Sequence, residues 1–291
     1  MMTENTLQTF VALDSDGCVV DTMAAKQHGF LQPLMVKTLG LERDAERLYL
    51  ACADYVNLYS VTRGISRFKA ILLNFETYNQ HPEVLSAGLP LIPTEALKAF
   101  VESGLPLGNP ALTQWLAEHP SPFLEKILAW SLAVNEAIVS SGATFPAYEG
   151  ARKALQNLQG RSEAGIVSQS PEAVLREDWG RQGVLEYVQH IAGQELGLKV
   201  AQLTALTDGR YPREKVIMIG DAPGDLEAAR AFGCRFYPIL PGREEESWER
   251  FNNGVYEAFA TGAYSAEAEA AFIEAFEKVL PACPPWSAQA K

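Results

Sequence analysis

Four short apolar runs, each closing on a polar residue or a glycine break, constrain this chain more than any other feature. Thr9-Phe10-Val11-Ala12-Leu13 ends in Asp14-Ser15-Asp16-Gly17, and Ala164-Gly165-Ile166-Val167 ends in Ser168. Lys215-Val216-Ile217-Met218-Ile219-Gly220 ends in Asp221, and Arg235-Phe236-Tyr237-Pro238-Ile239-Leu240 ends in Pro241-Gly242. Short runs without polar alternation read as strands buried on both faces, the habit of a parallel sheet. Helical patterns lie between them: Ser170-Pro171 reads as an N-cap with proline at the first helical position, and the segment from Leu226 to Phe232 stops at Gly233. Alternation of this kind predicts an α/β fold, a doubly wound Rossmann-like parallel sheet that binds ligands at the carboxyl ends of its strands. Polar residues at strand ends therefore carry the most information.

Between Thr22 and Ala147 the texture changes, because apolar residues recur at helical spacing with no strand between them. One stripe runs from Ala45 through Tyr49 and Cys52 to Tyr59, a second from Ile65 to Phe75, and a third from Phe123 through Trp130 to Ile138. Seven prolines, at 82, 90, 93, 106, 110, 120 and 122, predict long irregular connections within this region. The expected organisation is a core made of residues 1–21 and 148–291 with an all-helical domain, 22–147, inserted into it. Glu244-Glu245-Glu246 reads as a solvated loop, and the Glu/Ala-rich stretch from Ala266 to Leu280 as a surface helix.

With 291 residues, the chain can bury a core without disulfide or metal staples. The net charge of −12 repels polyanions, which argues against a nucleic-acid partner. No apolar run reaches the roughly 18 to 20 residues of a membrane span, and the polar start shows no export signal. Cys18, Cys52, Cys234 and Cys283 have no paired spacing and read as reduced thiols, so a cytoplasmic location is expected, with no membrane partner.

Only 9 of the 36 acidic residues are Asp, yet five of the nine fall in two short segments: Asp14, Asp16 and Asp21, then Asp221 and Asp225. Given the composition, Asp-x-Asp-Gly and Gly-Asp-x-x-x-Asp are each expected by chance only about 0.02 times in a chain of this length. Each also follows a strand-like run. On these residues the chain resembles the haloacid dehalogenase superfamily of hydrolases. Asp14-Ser15-Asp16-Gly17-Cys18-Val19-Val20-Asp21 resembles the nucleophile loop, with Cys18 where the family usually has Thr or Val. Ser168 matches the second motif and Gly220-Asp221-Ala222-Pro223-Gly224-Asp225 the acidic fourth. Lys199, in Gly197-Leu198-Lys199, is taken for the third-motif lysine, although Val200 stands where the family often has proline.

The chemistry of the residues agrees with what the resemblance implies. A carboxylate can attack a dianionic phosphate ester only if a divalent cation neutralises the site, which implies Mg²⁺ held by Asp14, Asp221, Asp225 and the backbone carbonyl of Asp16. Asp14 would attack phosphorus and form an aspartyl-phosphate, and Asp16 would protonate the leaving oxygen and then activate water. Ser168 and Lys199 would hold the transferring phosphoryl oxygens. Gly17 lets the chain turn after the motif, and Asp21 is expected to cap the helix at Thr22. Within the superfamily an acid two residues after the nucleophile marks phosphatases and phosphomutases, whereas dehalogenases lack it. The expected enzyme is thus a phosphatase acting on a small phosphorylated metabolite, of the phosphoglycolate phosphatase or β-phosphoglucomutase type. A phosphomutase shares every motif, and a non-catalytic phosphometabolite-binding protein is the rival from another class.

The inserted region resembles the family's helical cap, where substrate specificity resides. Arg63 and Arg67, around the glycine break of Thr62-Arg63-Gly64-Ile65-Ser66-Arg67, are the expected substrate-binding residues.

Overall fold

A computed structural model describes residues 8–287. Their contacts divide into two compact units: residues up to Met23 with Thr144–Val279, and Ala24–Ala143 with the segment from Leu280 onward.

The first unit is built on five parallel strands: β1 (Phe10–Leu13), β2 (Glu163–Val167), β3 (His190–Ala192), β4 (Val216–Gly220) and β5 (Arg235–Pro238). Their order in the sheet is β3-β2-β1-β4-β5. The chain winds outward from β1 through β2 to β3, then returns to the other side of β1 for β4 and β5. The direction of winding therefore reverses between β1 and β4, at the crevice where open α/β sheets bind ligands. The register places Leu13 opposite both Ile166 and Ile219, so the residues that follow these three strands emerge together. Every residue of β1 and β4 is buried, which is why both read as unbroken apolar runs.

Four of these strands are the predicted ones; the fifth, β3, is an edge strand of three residues with no apolar run of its own. Pairing with Gly165–Val167 makes it a strand. Helices Pro223–Phe232 and Ala266–Val279 follow the sequence pattern, the first ending on left-handed Gly233. Helix Glu172–Arg181 starts one residue later than predicted, with Pro171 and not Ser170 at its N-cap.

The acidic run expected as a loop is instead the first turn of helix Glu244–Arg250. Carboxylates suit a helix N-terminus, where unpaired N–H groups concentrate positive potential. Glu245 has a second role, accepting hydrogen bonds from the Glu149 and Gly150 N–H groups that open helix Glu149–Leu158.

Between residues 24 and 143 the second unit holds helices and their connections, with no strand. Helices Arg43–Leu58, Arg67–Asn79 and Pro122–Ser140 carry the three predicted stripes, and Tyr49, Cys52, Phe75, Phe100, Ile127 and Trp130 lie in their shared core. The proline-rich middle is more regular than expected. Pro82, Pro110 and Pro122 each stand in the first turn of a helix, where a missing N–H costs nothing.

The predicted core extended to residue 291, but from Leu280 the chain groups with the helical unit. Tyr55 Oη donates to the Pro281 carbonyl at 3.2 Å, and the Trp286 ring lies 4.7 Å from that of His81. Among the described residues no helix is long and apolar enough to cross a membrane.

Candidate active site

Asp14 follows β1 directly, and its N–H donates to the Ile219 carbonyl at 2.9 Å, so the sheet ladder continues one residue past the strand and fixes its backbone. The chain then turns sharply at Gly17, whose φ of 80° is left-handed and whose N–H donates to the Val20 carbonyl. The turn is anchored from outside as well. Trp179 Nε1 donates to Ser15 Oγ and Trp248 Nε1 to the Cys18 carbonyl, both at 2.9 Å. Cys18 itself is buried, and burial pushes its thiol pKa well up, so it packs beneath the turn as a neutral side chain.

Asp221 follows β4, and Asp225 stands in the first turn of the helix after it. Asp225 is fully buried, and its Oδ2 accepts a hydrogen bond from the Ala222 N–H at 3.0 Å. Gly220 makes this possible, because a Cβ there would lie 2.2 Å from Asp225 Cγ. Carboxylate oxygens of Asp14, Asp221 and Asp225 lie within 4.8 Å of one another, all three side chains buried. Lys199 reaches them from the first turn of helix Lys199–Thr207, with Nζ 2.8 Å from Asp14 Oδ1 and 2.5 Å from Asp225 Oδ1.

Burial drives the Asp14 carboxyl well above the usual range, and the charges of Asp225 and Asp221 add to this while Lys199 opposes it. Burial would likewise lower the Lys199 ammonium, but the adjoining Asp14 and Asp225 outweigh it and hold the proton more firmly than usual. Three carboxylates and one ammonium sum to a formal charge of −2. Hard oxygen donors at this spacing, with that charge, fit a small divalent cation such as Mg²⁺.

Residues 111–239 match the family model of the haloacid dehalogenase-like hydrolases, a span that contains Ser168, Lys199, Asp221 and Asp225. This part of the chain is similar to the haloacid dehalogenase-like hydrolases. The aspartate motif of β1 lies ahead of the matched span, and the sheet brings it to the same crevice. No curated protein sequence matches this chain.

Several solved structures of haloacid dehalogenase-like proteins are similar to it at low identity. A haloacid dehalogenase-like family hydrolase from Streptococcus pneumoniae is 14% identical over 84% of this chain and 91% of its own, with a TM-score of 0.48. A protein assigned as a phosphoglycolate phosphatase, from Lactobacillus delbrueckii, is 13% identical over 86% and 98%, with a TM-score of 0.49. A Bacillus subtilis protein assigned as a hydrolase of this superfamily, solved bound to magnesium, is 13% identical over 84% and 99%, with a TM-score of 0.46.

Loops at the strand ends hold two further candidate residues, Asp16 and Ser168. Asp16 stands apart from the carboxylate cluster, and its Oδ2 accepts a hydrogen bond from Ser170 Oγ at 3.0 Å. Ser168 Oγ accepts from the Ser170 N–H at 3.2 Å, and its own N–H donates to the Ala192 carbonyl. Ser170 thus touches both residues, a role that nothing in its sequence context signals. Asp21, expected at a helix cap, instead accepts a hydrogen bond from Tyr148 Oη at 3.1 Å, and the nearby helix begins at Met23.

Arg63 and Arg67 lie in the helical unit, and both have partners there. Arg63 is buried, with Nη1 donating to the Leu58 carbonyl at 3.1 Å. Arg67 opens helix Arg67–Asn79, and its Nη1 donates to the Ser131 carbonyl at 3.1 Å and to Ser131 Oγ at 2.8 Å. The glycine break does yield a turn, with Gly64 left-handed, but it folds Arg63 back onto the preceding helix.

Proposed function

We propose that this protein is a Mg²⁺-dependent phosphatase of small phosphomonoesters, working through an aspartyl-phosphate on Asp14. The observation that carries the reading is the meeting of Asp14, Asp221, Asp225 and Lys199 at the strand ends, with a second acid, Asp16, two residues after the first. Asp14, Asp221 and Asp225, with the Asp16 carbonyl, would hold the ion. Mg²⁺ bound there supplies the positive charge that lets a carboxylate approach a phosphate dianion.

The protein's own groups account for the remaining steps. Asp14, tied at its backbone to β4 and at its carboxylate to Lys199, presents an oxygen that forms a bond to phosphorus as the bond to the leaving oxygen breaks. Asp16, held by Ser170, gives its proton to that leaving oxygen. It then takes a proton from water as the water attacks the aspartyl-phosphate, which releases inorganic phosphate and restores Asp14. Lys199 and the Ser168 hydroxyl hold the phosphoryl oxygens. Asp16 favours phosphoryl transfer over dehalogenation, which needs no acid at that position.

Phosphate release should be followed with p-nitrophenyl phosphate and a panel of phosphorylated metabolites, in Mg²⁺ and in EDTA. We expect turnover that EDTA abolishes and added Mg²⁺ restores, and a collapse of activity in folded Asp14→Asn. Turnover in EDTA equal to that in Mg²⁺, or a fully active Asp14→Asn, would overturn the reading. Transfer of phosphate between positions of a sugar phosphate without net release would establish the phosphomutase instead.

A further inference from the structure

Gln202 is a polar side chain that the reaction itself does not use, yet it is completely buried beneath the site. Its Nε2 lies 2.9 Å from the Ser168 carbonyl, 3.0 Å from that of Gly193 and 3.0 Å from that of Gly197. One amide group therefore faces three acceptors, with two hydrogens shared among them. Its Oε1 is buried with no hydrogen-bond partner among the described residues, a cost of about 1–3 kcal/mol for a carbonyl taken out of water. A side chain placed only to fill the core would be better as leucine or methionine. An amide kept at that cost indicates that the three carbonyls need its donors.

Those carbonyls belong to the segments that deliver two proposed phosphoryl-contacting groups. Ser168 follows β2; Gly193 follows β3; Gly197 lies two residues before Lys199. The Ser168 peptide is held on one side by its N–H bond to the Ala192 carbonyl and on the other by Gln202. The Gly197 carbonyl accepts from Gln202 and also from Gln169 Nε2 at 3.0 Å, so the loop before Lys199 is tied back to the residue after Ser168. Gln202 lies on the same helix as Lys199, close to one turn later. It thus joins the Ser168 loop, the strand edge and the lysine helix at one nitrogen.

We infer that Gln202 is a positioning residue that sets the separation of the Ser168 hydroxyl and the Lys199 ammonium, and so the grip on the phosphoryl group in the transition state. The inference rests on the phosphatase reading above. Loss of the donors would free three carbonyls, and the two phosphoryl-contacting groups would drift independently. Misplacement of groups that tighten on the transition state lowers kcat more than it raises KM.

The test compares Gln202→Met, which keeps the volume and removes the donors, with Leu206→Ala. Leu206 is a largely buried apolar residue of the same helix, one turn beyond Gln202, with no side-chain donor to offer the three carbonyls. Both variants should lose thermal stability. For p-nitrophenyl phosphate in saturating Mg²⁺, Gln202→Met should lower kcat by about tenfold or more with KM within about threefold, and Leu206→Ala should keep kcat within about twofold. Hydrogen–deuterium exchange supplies a readout that needs no substrate. Amides of residues 168–170 and 193–197 should exchange faster in Gln202→Met and be unaltered in Leu206→Ala.

Unchanged exchange in a folded Gln202→Met overturns the inference, and so does wild-type kcat whatever the exchange. Equal losses of kcat in the two variants do the same, because general destabilisation then explains both. If wild type releases no phosphate from any substrate while exchange responds as described, the phosphatase reading has failed. The catalytic role inferred for Gln202 falls with it, leaving only a loop clamp.

Discussion

Replacing Gly220 with alanine should destabilise the core unit by about 0.5–2.5 kcal/mol, although it adds only a methyl group and asks for no unusual backbone angle. The new Cβ would lie 2.2 Å from Asp225 Cγ, 2.3 Å from its Oδ2 and 2.4 Å from its Cβ, and neither side can retreat freely. Gly220 is held in the sheet, its carbonyl accepting from the Ile239 N–H and its register fixed against Pro238. Asp225 is held by the Ala222 N–H and by Lys199. Overpacking at a rigid site costs about 1–3 kcal/mol. If Asp225 swings aside instead, a buried charge-assisted hydrogen bond worth about 1.5–3 kcal/mol is lost. The entropy alanine removes from the unfolded chain returns only about 0.4–1 kcal/mol.

Gly224→Ala is the internal control. A Cβ there meets nothing within 4 Å, and the residue is already helical, so that variant should be neutral or slightly more stable. Urea denaturation followed by circular dichroism gives both values. A Gly220→Ala protein with the wild-type midpoint, or a Gly224→Ala loss of equal size, would refute the argument that the Asp225 carboxylate is seated against a bare backbone.

Two further perturbations test parts of the fold away from the carboxylate cluster. Burial alone would raise the Glu163 carboxyl, but hydrogen bonds from His190 and Arg210 and their charges outweigh it and leave the pKa below its ordinary 4.5. A depressed carboxylate stabilises the fold above its unfolded pKa and loses that contribution as pH falls through the folded one. The stability difference between wild type and Glu163→Gln should therefore be full near neutrality and shrink below about pH 4.5; parallel urea midpoints across pH 3–7 would contradict it. Arg67→Ala removes a charged donor from the Ser131 carbonyl and hydroxyl, so it should cost the helical unit about 1.5–3 kcal/mol by thermal denaturation. A selective fall in kcat/KM for one metabolite with no loss of stability would instead return Arg67 to substrate binding.

What was legible in the sequence is what short segments decide by themselves. The strands β1, β2, β4 and β5 were visible because a strand buried on both faces is apolar along its length, as β1 and β4 are throughout and β2 and β5 are after their first residues. The aspartates at their ends were visible because a strand followed by a turn is a local pattern, and a parallel sheet must bring such ends together. The three stripes of the helical unit follow equally from helical periodicity.

Tertiary structure decided everything that depends on a partner distant in sequence. Three residues at His190–Ala192 are a strand only because β2 offers them an edge. The glutamates at 244–246 open a helix whose Glu245 caps a second helix nearly a hundred residues earlier in the chain. Trp286 joins the helical unit, and not the core that precedes it in the chain, because Tyr55 and His81 receive its ring. Arg63 and Arg67 read as candidate ligand-binding cations because their sequence does not name the carbonyls that accept from them. Gln202 and Ser170 gave no signal, since a side-chain hydrogen bond has direction and a range of about 3 Å, and only the folded chain places its acceptor within reach.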